Sequence, residues 1–243
     1  MSSYVPVKLA YKTVEPASDA ADKSPIIFLH GCTASSDYWS DIPQTLANKT
    51  KRKVYLLDAR NHGDSEWSDI FNFDVNFNDL VHFMDTMNIT KAVLLGHSMG
   101  GITAMRTALT KKERVEMIIV EDMTARKIPK PILDSVITYV SLGQQATDQM
   151  PTDVDEEGAR KFILGYLYNH LPEEAKDLMK GRGSDAHQLI SLKRNPDGRY
   201  GFKANFKVIL DAIKNVKTLM TEPTGVYDGP AYFIYGKLSP FLV

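Results

Sequence analysis

The sequence predicts an α/β fold built on a mostly parallel central sheet, and three observations predict it. Short, continuous apolar runs recur at Ile26-Ile27-Phe28-Leu29, Val54-Tyr55-Leu56-Leu57, Ala92-Val93-Leu94-Leu95, Val115 to Val120 and Ala231-Tyr232-Phe233-Ile234-Tyr235. Near-continuous apolar runs are what strands covered on both faces look like. Longer segments with helical periodicity separate them, the alternation that builds a parallel sheet through crossover helices. A length of 243 residues suits one such domain of full size.

Each element follows from a local pattern. Met1 to Val14 alternates apolar and polar residues as a strand does, with neither the long apolar run nor the small-residue cleavage site of a secretion signal. Ser36 can cap a helix carrying Trp39, Ile42 and Leu46. Phe77, Leu80, Val81, Met84 and Met87 recur at spacings of three and four, and Ile102, Met105 and Leu109 do the same after the glycine-rich turn at Gly96 to Gly101. The stretch from about 124 to 224 differs, because it holds helical patterns without a buried strand. Its clearest helices are Ile132 to Leu142, Ala159 to Leu171 and Phe206 to Val216, with a strong turn at Asn195-Pro196-Asp197-Gly198. The expected organisation is a core over 1–123, an all-helical cap over 124–224 lying across the carboxyl ends of the strands, and a returning core strand within 225–243.

Composition narrows the function. With 29 Lys+Arg against 30 Asp+Glu the net charge is -1, which removes the electrostatic case for nucleic acid or an anionic membrane as partner. Hydrophobic residues make up 43% and charged residues 24%, the balance of a globular chain. The single cysteine, Cys32, permits no internal disulfide and no cysteine-based zinc site, which fits a reducing, intracellular compartment. The longest apolar stretches are too short to cross a bilayer. The sequons at Asn48 and Asn88 read as chance without a secretion signal. No metal or cofactor is expected.

Three strings carry chemistry. In Gly96-His97-Ser98-Met99-Gly100-Gly101 a Gly-x-Ser-x-Gly lies between a strand and a helix, the context of a nucleophile elbow. Such a turn strains the serine backbone, and Gly96 and Gly100 are small because a side chain would collide with it. Ser98 then stands at a helix N-terminus, where negative charge is favoured. The same residues match no nucleotide-binding loop, since no lysine follows Gly101 and position 98 is not glycine. In His30-Gly31-Cys32-Thr33 the backbone can supply the second amide of an oxyanion hole whose first is Met99 N–H. Cys32 N–H is the choice, with Thr33 its rival, and Gly31 lets the backbone approach; the Cys32 side chain reads as a small buried group and not as a nucleophile. Asp58-Ala59-Arg60-Asn61-His62-Gly63-Asp64-Ser65 reads as a structural loop in which Arg60 and the two aspartates fix one another by charge-assisted hydrogen bonds. His30 and His97 read as hydrogen-bonded scaffold turned away from Ser98.

Together with Glu113-Arg114-Val115-Glu116, these strings resemble the α/β-hydrolase superfamily. The Asp58 to Ser65 string more narrowly resembles the alpha/beta-hydrolase domain-containing protein 11 group and related bacterial esterases. That resemblance implies the α/β-hydrolase fold, a serine hydrolase acting on small carboxylic esters or thioesters and, in eukaryotic members, a mitochondrial setting. It also implies an aspartate at the position of Asp122. A serine hydrolase needs an acid and a histidine, and in this fold they follow the serine along the chain. After the strand Ala231 to Tyr235 no carboxylate stands in Gly236 to Pro240, so Asp122 is the expected acid and Ser239 a possible helper. Glu121 is disfavoured because it faces the other side of its strand.

The histidine is the gap. All six, at 30, 62, 82, 97, 170 and 187, precede the expected place. His170 and His187 read as polar surface groups of the cap. The expectation is therefore a chain shortened at its C-terminus, lacking the final strand, helix and catalytic histidine, with Ala231 to Tyr235 left as an apolar edge. The alternative to an ester hydrolase is a catalytically impaired binding or regulatory form, or a fragment without function.

Overall fold

The computed structural model describes residues 4–18, 22–173, 190–215 and 223–237, with Lys176, Leu219, Thr221, Ser239 and Phe241. Six strands form the main sheet in the order β1 (Tyr11–Val14), β3 (Val54–Leu57), β2 (Ile26–Leu29), β4 (Ala92–His97), β5 (Val115–Glu121) and β8 (Ala231–Ile234). Strand β1 runs antiparallel to β3, and every other pairing is parallel. Parallel pairing needs crossovers, and helices α1 (Ile42–Thr50), α2 (Phe73–Thr86) and α3 (Met99–Thr110) provide them.

The continuous apolar runs are explained by cover on both faces. Ile27, Leu29, Tyr55, Leu57 and Leu94 pack into one buried cluster with residues of α2 and α3. Their alternates Ile26, Phe28, Val54, Leu56, Val93 and Leu95 form a second with Trp39 and Ala47, where Phe28 meets the Trp39 ring edge-on at 4.9 Å. Strand β8 lies at the sheet edge, and all four of its residues are exposed.

Between β5 and β8 the chain makes α4 (Lys130–Asp148), α5 (Glu156–His170), β6 (Leu192–Arg194), β7 (Tyr200–Phe202) and α6 (Phe206–Lys214). The insert is thus not all helical: the Asn195 to Gly198 turn closes an antiparallel hairpin pairing Leu192 with Phe202. Its strands have three residues each, too short to register as apolar runs. The hairpin is tied to loops at the carboxyl ends of β2 and β3. Ser191 Oγ lies 2.7 Å from Ser35 Oγ, Gly63 N–H donates to Lys203 O at 2.6 Å, and Asn205 N–H donates to Asn61 O at 2.8 Å. No helix among the described residues is long and apolar enough to cross a membrane.

Two local expectations are corrected. The helix expected from Ser36 through Leu46 is a short 3₁₀ segment, Ser36–Trp39, capped by Ser35 and followed by α1, so Trp39 is buried while Ile42 is exposed. On α2 the buried face is Phe73, Asn76, Asp79, Leu80, Phe83 and Met84, and not the face centred on Phe77 and Val81. A buried aspartate needs a partner, and Asp79 has one in Arg60.

Candidate active site

Ser98 occupies the one-residue junction between β4 and α3 at φ 50° and ψ -112°. A positive φ on a non-glycine residue is sterically costly and persists only where the surroundings enforce it. They do so here from three sides. Ser98 N–H donates to Glu121 O at 2.9 Å, and Gly100 N–H donates to His30 O at 3.1 Å. A side chain on Gly96 would run into the Gly100 backbone, and one on Gly100 would enter the Leu29 carbonyl, so only glycine fits either place. Met99 opens α3, where the first amides have no acceptor within the helix, and the first turn carries no acid.

The His30 to Ser35 loop runs alongside. A Cβ on Gly31 would stand 2.6 Å from His97 Nδ1 and 3.5 Å from Ser98 Cβ, so this backbone passes directly by the serine. Thr33 adopts φ 70°. Burial pushes the Cys32 thiol up to about 12, so it is not a thiolate at neutral pH.

The loop following β3 buttresses this one. His30 Nδ1 lies 2.8 Å from Gly31 O, and its Nε2 accepts Ala59 N–H at 3.0 Å, which assigns the proton to Nδ1. His62 is fully buried, bonds Arg60 O through Nδ1 at 2.9 Å and packs 5.1 Å from the His30 ring. Burial depresses the pKa of both, and in His62, where the neighbouring His30 adds to the effect, it is pushed down to about 3. The expected pairing of Arg60 with Asp58 and Asp64 is corrected: Arg60 grips Asp79, with Nη2 to Oδ1 at 2.7 Å, and both side chains are 2% exposed. Asp58 instead accepts backbone N–H groups from Ser36 at 2.6 Å and Asp64 at 3.0 Å, while Asp64 pairs with Lys203 at 3.2 Å. Asp79 lies 19 residues from Arg60; its only sequence signal is a carboxylate interrupting the apolar stripe of α2.

Asp122 follows directly on β5, beside Ser98 in the sheet register, because His97 pairs with Glu121. It takes φ 50°, and its N–H donates to Ile234 O at 2.8 Å. Its Oδ1 is buried and accepts no hydrogen bond from the described residues. Glu121 is half-buried, and burial, reinforced by the adjacent Asp122, raises its pKa. Ser239 lies in the turn after β8, where its Oγ accepts Phe241 N–H at 3.1 Å.

No hydrogen bond joins Ser98 Oγ to a described histidine. His97 stacks on Tyr38 with centroids 4.8 Å apart, His82 is exposed on α2, and His170 stacks on Tyr166 at the end of α5. His187 lies outside the described residues. The chain thus brings together Ser98, Met99, Gly31 and Asp122.

Residues 24–237 match the alpha/beta hydrolase fold family model. The chain is 31% identical over 244 residues to sn-1-specific diacylglycerol lipase ABHD11 of Danio rerio, a match spanning 100% of this chain and 71% of that one. It is 26% identical to ethanol acetyltransferase 1 of Cyberlindnera fabianii, spanning 97% and 74%. Among solved structures, a marine microorganism esterase superposes with a TM-score of 0.69 at 26% identity, covering 98% of this chain and 84% of that one.

Proposed function

This chain belongs to the alpha/beta hydrolase fold family, with lipases and esterases among its homologues, and on that premise we propose that it acts on small carboxylic esters or thioesters through an acyl-enzyme on Ser98. The observation that carries the proposal is the enforced positive φ of Ser98 at a strand-to-helix junction, the strained geometry that presents a serine hydroxyl above a sheet. In this reading Ser98 Oγ attacks the acyl carbon, and the negative oxygen that forms is held by the Met99 and Cys32 amides. In the complete triad a histidine, a role that none of the described histidines fills, would accept the serine proton and pass it to the departing alcohol or thiol. Water then attacks the acyl-enzyme and restores the serine. Asp122 orients that histidine, with Ser239 assisting, and its buried, unpartnered Oδ1 suits the role. Residues 124–224 act as the cap that limits substrate size, and the compartment is mitochondrial, by likeness to the same relatives.

A second reading rests on the placement of the described histidines, none of which bonds Ser98. In it, the 243-residue chain keeps the acyl-binding site without the proton relay, and binds esters without turning them over. Hydrolysis of p-nitrophenyl butyrate by the chain and by Ser98→Ala, each with and without added imidazole, tests both. Ser98-dependent turnover without imidazole establishes the enzyme. Turnover that depends on Ser98 only when imidazole is present establishes the second reading, whose deficit is roughly 10³ to 10⁶-fold, the range for lost triad members. Rates equal in both proteins under both conditions refute the site.

A further inference from the structure

A cleft of about 260 Å³ lies between Trp67, the β6–β7 hairpin and the first turn of α6. Its chemistry differs from that of the surface at large. The chain as a whole balances its charges, yet no aspartate or glutamate lines this cleft, whereas Lys193 and Lys207 both do. Neither lysine makes an ion pair among the described residues. Lys193 Nζ instead sits 3.4 Å from the centre of the Trp67 ring. Asp64, whose charge acts on Lys193, is bridged to Lys203 at 3.2 Å.

The backbone adds to the same sign. Helix α6 begins at Phe206 with no acid in its first turn, and its N-cap Asn205 makes no side-chain capping bond. The Asn205 amide is turned the other way, donating to Asn61 Oδ1 at 3.3 Å. The first turn of α6, whose residues Phe206 and Lys207 line the cleft, thus has no side-chain cap at the positive end of the helix dipole. Gln144, also in the lining, gives its amide to Asp148 at 2.8 Å.

We propose that this cleft is a binding site for a phosphate group carried on a small organic molecule. Two unpaired lysines and an uncapped helix N-terminus converge on it, which matches a dianion better than a singly charged carboxylate. The volume lies just under the range of roughly 300–1,000 Å³ usual for ligand pockets, which suits a small phosphomonoester whose organic part rests beside the Trp67 indole. The site is separate from Ser98 and does not depend on the esterase reading.

Trp67 reports on it directly. Of the two tryptophans, Trp39 is 1% exposed in the core and Trp67 is 40% exposed at the cleft, so an anion entering the cleft changes Trp67 emission. The full chain is titrated with inorganic phosphate and with phenyl phosphate, using sodium chloride at matched ionic strength as the blank. Calorimetry on the same proteins provides a second, non-optical readout. Saturable binding that weakens at least tenfold in Lys193→Ala and in Lys207→Ala, and is unchanged in Lys111→Ala, supports the site. Tighter binding of phenyl phosphate than of inorganic phosphate identifies the organic monoester as the ligand, and the reverse order identifies the free ion. A linear response no larger than that to chloride, or saturation that survives Lys193→Ala together with Lys207→Ala, overturns the proposal. Far-UV circular dichroism and melting temperature confirm that each variant is folded; both lysines lie outside the hydrophobic core.

Discussion

Acid should loosen this fold through the His30 and His62 pair, and the effect can be sized. His62 is fully buried, and burial, aided by the neighbouring His30 ring, holds its folded-state pKa near 3. In the unfolded chain an imidazole titrates near 6.5. Because the folded pKa is the lower one, the unfolded state binds more protons between these two values. The stability is therefore complete above about pH 6.5 and falls as pH drops toward 3. At pH 5 the span below the unfolded pKa is about 1.5 units, which at 1.36 kcal/mol per unit removes about 2 kcal/mol. For a chain of this size that lowers Tm by roughly 4–8 °C. His30, also depressed by burial, acts in the same direction. Asp37 and Glu116, whose pKa values are lowered, lose their contribution only at lower pH, as they pass below the ordinary carboxylate range. Thermal melts of the chain and of His62→Leu at pH 7.5, 6.5, 5.5 and 5.0 isolate the term, since every other titrating group is common to both. The variant is less stable at pH 7.5 and its Tm declines less steeply with acid. Parallel curves over that interval would refute the reasoning.

Three further outcomes are expected. Gly100→Ala places a methyl group inside the Leu29 carbonyl, so it lowers stability by several kcal/mol or prevents folding, read by expression and urea unfolding, whereas Gly165→Ala, with open space around it, is tolerated. Ser191→Ala removes the bond between two buried hydroxyls while Ser35 Oγ keeps its contacts to Asp37, and costs about 0.5–1.5 kcal/mol; the double variant with Ser35→Ala costs less than the sum of the two single variants. Iodoacetamide at pH 7.5 modifies Cys32 on the order of 10³-fold more slowly in the folded chain than in urea, because its pKa near 12 lies about three units above that of a free thiol; equal rates would show an accessible thiolate.

The parts legible in the sequence are those whose physics is local or doubly buried. Ile26–Leu29 and Val54–Leu57 read as strands because cover on both faces leaves no room for a polar residue. The elbow was legible because Gly96 and Gly100 are sterically required on either side of Ser98. What escaped depends on partners distant in the chain. Asp79 is buried on α2 only because Arg60 meets it there. The β6–β7 hairpin rests on its ties to Ser35, Asn61 and Gly63 and not on an apolar run of its own. The left-handed backbone of Asp122 and Thr33 has no sequence signal at all, since neither is a glycine.

The central claim is that Ser98 is the acyl-accepting group of this chain. Treatment with a fluorophosphonate probe, with imidazole present to serve as base, followed by peptide mass mapping, tests it directly. The account predicts a single phosphonylated residue, Ser98, with labelling lost in Ser98→Ala. Label on another residue, or undiminished labelling of Ser98→Ala, would contradict it.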